Sequence, residues 1–135
     1  MTVTLAGIET ALGQALEAIP QVERVAWPNR ISDPARPFVM FQHVPTVWQD
    51  RTLSGGSTVA EGFVTVTVVI AQNQFTGPAN SLADQIIAAF PKGRRISIGG
   101  GSSLVVTKPV APMMGLADMA DWRLPLRIDY QTETA

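Results

Sequence analysis

Hydrophobic and polar positions alternate cleanly over residues 59–71, where Val64, Val66, Val68 and Ile70 fall on one face and Thr65 and Thr67 on the other. This period of two is the signature of a half-buried strand. A second strand-like run covers residues 38–48, and the polar, glycine-bearing segment 49–58 joins the two, which predicts a β-hairpin. If residues 59–71 are fully extended they span roughly 43 Å at about 3.3 Å per residue. A compact domain of this length is only about 36 Å across. Part of the hairpin is therefore expected to project from the body. Strand edges left open in this way invite pairing with other chains, so a partner subunit is expected to cover them.

The rest of the chain resolves into short amphipathic pieces. Leu5, Ile8, Leu12, Leu16 and Ile19 recur at steps of three and four, with Glu9, Gln14 and Glu17 largely off that stripe, and predict a first helix that Pro20 ends. Residues 22–27 read as a first strand, after which Pro28, Pro34 and Pro37 keep the connection extended. Thr76, Gly77 and Pro78 open a second helix whose inner face is Ala79, Leu82, Ala83, Ile86 and Phe90, stopped by Pro91 and Gly93. Residues 95–98 and 103–108 read as two short strands around Gly99, Gly100 and Gly101. Residues 109–121 hold two prolines and three methionines without a period and read as a loop. Residues 122–132 form a last strand in which Pro125 predicts an edge position or a bulge. Two helices cannot cover both faces of a large sheet. The expected fold is α+β: one domain over residues 1–135, with a mostly antiparallel sheet, two helices on one face and a long protruding β-hairpin.

Composition sharpens this picture mainly by exclusion. Of the 135 residues, 46% are hydrophobic and only 16% charged, against about 25% charged in ordinary soluble domains. Such a surface fits one partly covered by other chains. The formal net charge of −1 argues against a dedicated nucleic-acid binder. There are no cysteines, which rules out disulfides and thiolate chemistry. The N-terminal apolar stretch lacks the basic flank of a secretion signal. No run approaches the roughly eighteen apolar residues of a membrane span. A soluble, unprocessed protein is expected.

No constellation of catalytic residues emerges. His43 is the only histidine, and it sits inside a predicted strand, where a structural or interface role is the expectation. Gly55, Gly56, Ser57 and Thr58 are followed by Val59 and do not complete a G-x-S-x-G nucleophile elbow. Gly99, Gly100 and Gly101 fit no phosphate-binding fingerprint and read as a turn. Asp118 and Asp121 make an incomplete calcium site. Lys92, Arg94 and Arg95 follow the second helix, where cations complement its C-terminal dipole. Trp27, Trp48 and Trp122 lie in or beside strands and read as packing anchors, with Trp48 placed where the hairpin leaves the body. No catalytic, cofactor or metal site is expected.

Several landmarks taken in order resemble the tail terminator-like proteins of tailed bacteriophages and of phage-derived gene transfer particles. They are Val25-Ala26-Trp27-Pro28-Asn29, Pro37-Phe38 opening the second strand, the glycine loop before Glu61-Gly62, Ala83-Asp84 through Phe90-Pro91-Lys92-Gly93, and Asp121-Trp122 leading into Pro125 and Tyr130. The resemblance covers nearly the full length. It implies a non-enzymatic virion protein without a cofactor, assembled in the host bacterial cytoplasm. Such a subunit forms a hexameric ring of identical copies that caps the head-proximal end of the tail tube, stops its polymerisation and offers a surface to the neck or head connector protein. DNA then passes through the lumen without specific binding, and no membrane is involved. Combined with the hairpin geometry, this makes Trp48, Gln49, Asp50, Arg51, Thr52, Leu53, Ser54, Gly55, Gly56, Ser57 and Thr58 the expected contact with a neighbouring subunit or the tube. Two other readings stand beside it. One is a head completion or tail-to-head joining protein, and the more remote one is a small ligand-binding or enzymatic α+β domain.

Overall fold

A computed structural model describes residues 3–27, 35, 37–50, 58–71, 77–99, 101–118 and 120–134. Helix α1 (Leu5–Glu17) begins where the Thr4 side chain accepts a hydrogen bond from the Gly7 N–H at 3.0 Å, satisfying one of the free donors of its first turn. Of its expected stripe, Ile8, Leu12 and Leu16 are at or below 1% exposure. Leu5, read as part of that buried face, is instead 44% exposed, because it starts the helix beyond the edge of the core. Strand β1 (Val25–Ala26) is shorter than the run that predicts it and lies parallel to β2 (Phe38–Asp50).

Strands β2 and β3 (Thr58–Ala71) pair antiparallel from Phe38↔Val69 to Asp50↔Thr58, with a register shift between Pro45 and Val47. Val64, Val66, Val68 and Ile70 are buried, as the alternation requires. Helix α2 (Gly77–Ala89) buries Ala79, Leu82, Ala83 and Ile86, and Phe90 follows them into the core. The apolar stripes of both helices enter the same buried cluster as the even-numbered residues of β3. Strands β4 (Arg95–Gly99) and β5 (Ser102–Val106) form the small hairpin. Its turn needs glycine, because Gly99 and Gly101 have φ of 90° and 77°, a region that side chains disfavour.

Two sequence expectations need correction. The stretch read as a loop contains strands β6 (Ala111–Pro112) and β7 (Leu116–Asp118), both paired with β8 (Asp121–Thr134). Each is too short to show a period, and it is the ladder offered by β8 that makes it extended. Pro125 does not mark an edge strand either, since β8 lies inside the sheet order β1-β2-β3-β8-β5-β4. The Met113 N–H donates to the Pro125 carbonyl at 2.9 Å. A strand residue points its N and its C=O to the same side, so the missing donor of Pro125 faces away from β3. It falls opposite the break between β6 and β7, where no ladder bond is lost.

The route of β8 shapes the far end of the sheet. It pairs with β3 from Ala71↔Asp121 to Glu61↔Gln131 and with β5 from Val106↔Tyr130 to Ser102↔Thr134. It therefore parts from β3 just where the pairs Trp48↔Ala60, Gln49↔Val59 and Asp50↔Thr58 begin. The Ala60 N–H there donates to the Thr132 hydroxyl at 2.8 Å, a side chain standing in for a backbone partner.

Candidate assembly surface

The end of the β2–β3 hairpin carries apolar surface that the described residues leave uncovered. Trp48 is 47% exposed and Leu5, the first residue of α1, is 44% exposed. Together with Pro45, Thr46 and Val47 they line an open groove of about 430 Å³. The register shift at Pro45 and Val47 helps form it, because a bulge bends its strand and re-aims side chains. Of the expected contact residues, Gln49 and Asp50 are exposed and Thr58 is half-buried. Arg51, Thr52, Leu53, Ser54, Gly55, Gly56 and Ser57 lie outside the described residues.

Just inside this end, three side chains far apart in sequence tie α1, β2 and β8 together. The His43 side chain is fully buried, and its Nδ1 lies 3.1 Å from the Glu9 Oε1. A carboxylate only accepts, so Nδ1 donates to Glu9, and in the neutral imidazole Nε2 then accepts from the Tyr130 hydroxyl. Tyr130 is 2% exposed. Burial, and then the Glu9 charge, push its pKa up to about 12. Gly62 lies against this phenol, and a Cβ there would stand 2.8 Å from the Tyr130 hydroxyl and 2.6 Å from the Val44 carbonyl oxygen.

A pH dependence follows. The unfolded chain titrates Tyr130 near 10.0 and the folded one near 12. Below pH 10 both states keep the proton and stability is complete. As the pH rises from 10 to 12 the unfolded state binds fewer protons, so stability falls. Tyr130 is the only tyrosine, so tyrosinate absorbance read beside denaturant unfolding should show both changes in that window.

The other sequence candidates are placed as follows. The Arg94 guanidinium donates to the Ala89 carbonyl at the end of α2 and lies 5.3 Å from the centre of the Phe90 ring, the capping role expected of this cluster. Arg95 pairs with Glu133 at 3.0 Å, and Lys92 is exposed. Trp27 packs edge-on against Phe41 at 5.4 Å between ring centres, and Trp122 packs against the core, so Trp48 alone of the three is largely exposed. Asp118 and Asp121 face each other as the end pair of the β7–β8 register. Among the described residues no three histidine, aspartate or glutamate side chains gather as a metal site. No helix among the described residues is long and apolar enough to cross a membrane.

One surface escaped sequence reasoning. Met40, Met113, Met114 and Leu116 are 36%, 40%, 85% and 47% exposed and make a second apolar patch. Leu116 pairs with Arg123, whose guanidinium reaches the Met40 sulfur at 2.9 Å, and Met113 bonds to Pro125, so the sheet register gathers these residues. The available signal was the density of methionine in residues 109–121, a residue favoured on adaptable binding surfaces.

A search of curated proteins returns no match. A solved structure known only by a sequence identifier superposes with a TM-score of 0.75 at 23% identity, covering 96% of this chain and 93% of that chain; at that identity it shows a shared fold. The family profile described as phage tail terminator protein matches residues 7–130. With nearly the whole chain inside that match, the protein belongs to the phage tail terminator family and is a structural component of the phage tail.

Proposed function

We propose that the chain acts as a single domain that assembles into a ring, of six copies as its family resemblance implies, on the head-proximal end of the tail tube. There it stops tube growth and presents its other face to the neck or head connector protein. The observation that carries this reading, beside the family match, is the uncovered hairpin end. Trp48 is 47% exposed at the point where β8 has left β3, so one flank of the hairpin end lacks a strand partner among the described residues. A head-to-tail contact that closes after a fixed rotation gives a ring, and a ring offers two different faces to tube and connector. The lumen passes DNA without gripping it. The net charge of −1 supports this, as do the internal engagements of Arg94 with Ala89 and Arg95 with Glu133. A structure of the ring with Lys92, Arg94 and Arg95 lining the channel would reject this view of the lumen.

The role is tested by tail length. Particles made without this protein should carry overlong tubes, whereas loss of a head completion or joining protein leaves normal tails unattached. Restoring the intact chain should restore length. A variant cut from Leu53 to Ser57 should stay folded, remain monomeric and fail to restore length. Normal unattached tails in its absence would replace the terminator role with a joining one. Unchanged rings from the cut variant would remove this segment from the interface.

A further inference from the structure

Among the described residues the exposed large apolar side chains fall into two groups that cannot cover each other within one copy. Leu5 and Trp48 stand at the end of β3 marked by Ala60, which pairs with Trp48. Leu116 stands beside Arg123, which pairs with Val69. Ala60 and Val69 are nine residues apart on one continuous strand, a separation of about 30 Å at about 3.3 Å per residue. The first group is concave, a groove of about 430 Å³. The second is led by Met114, which stands out at 85% exposure between two short strands.

We propose that these are the two halves of one contact between copies, with Met114 and Leu116 of one subunit seated in the Leu5, Pro45 and Trp48 groove of the next. This deepens the ring reading and rests on it. A knob and a pocket at different places on one molecule make a heterologous contact, the kind that closes into rings. Two grooves facing each other would enclose a void, and two knobs would leave both grooves wet.

The charges around the two halves are complementary. Glu9, one helical turn from Leu5, is 45% exposed. Beside the knob, Arg123 is 27% exposed, while its carboxylate partner Asp121 is only 11% exposed. Arg123 beside the knob would meet Glu9 beside the groove, favouring this pairing over like with like. The apolar seat is the centre of a wider contact, since a stable interface takes about 800 Å² from each partner.

The absence of cysteine makes the test direct. A Leu5→Cys, Met114→Cys double variant, treated with a short thiol crosslinker, should give a ladder of multimers ending at the closed ring. Each single variant alone should give none, and an equal mixture of the two should stop at dimers. Met114→Glu should raise the concentration needed for assembly about tenfold or more while leaving the monomer folded. Rings seen by native mass spectrometry without the ladder would overturn the seat and leave the ring standing. Crosslinks within a single variant would replace it by a symmetric contact. A chain that stays monomeric both alone and on tube ends would overturn seat and ring together.

Discussion

Gly62→Ala should lower stability by about 3 kcal/mol, the upper part of the range for forcing atoms into a packed site, and the melting temperature by about 10 °C. The added methyl would sit 2.6 Å from the Val44 carbonyl oxygen, 2.8 Å from the Tyr130 hydroxyl and 3.0 Å from the Pro45 Cα. Two of these neighbours are backbone at the register shift of β2, whose displacement would disturb the β2–β3 ladder. The third is the phenol held by His43. The variant should therefore show a second change besides the loss of stability, with Tyr130 titrating closer to the ordinary phenol value as its packing loosens. Thermal unfolding and tyrosinate absorbance measure the two effects. An alanine variant as stable as the parent would show that the bulge yields without cost and that Gly62 is not required there.

That glycine also shows where sequence stops being informative. The local elements were legible because their cause is local. The α1 stripe of Ile8, Leu12 and Leu16, the β3 alternation of Val64 to Ile70 and the α2 face of Ala79 to Ile86 are all buried as their spacing requires. The two-glycine turn at Gly99 and Gly101 was legible for the same reason. Relations across the sheet were not. Pro125 reads as an edge signal because sequence cannot tell which flank of a strand its missing N–H faces, and β6 and β7 exist only through their partner. Glu9 and Tyr130 lie 34 and 87 residues from His43, too far for any spacing rule to join them. At the candidate surface, Trp48 was legible from its place at the hairpin end. The Leu5 side of the groove and the methionine patch depend on how α1, β2 and β8 come together, and no local pattern carries that.

His43→Ala should be the most damaging change near the assembly surface that leaves the surface itself intact. Removing a fully buried imidazole opens a cavity and leaves the Tyr130 hydroxyl without its acceptor, a combined loss of about 2–4 kcal/mol. Glu9, 45% exposed, recovers water and adds little. Tyr130→Phe strands only the imidazole nitrogen and should lose about 1–2 kcal/mol. The double variant should lose less than the sum of the two, because the same hydrogen bond is removed in each, and the difference reports their coupling. Added imidazole should restore part of the stability of His43→Ala by refilling the cavity, as any ligand that binds only the folded state does. At temperatures where the variant remains folded, rings should still form, since Leu5, Trp48 and Met114 are untouched. An unchanged melting temperature together with loss of a detectable turnover would instead make His43 a catalytic group and revive the enzymatic reading of the fold.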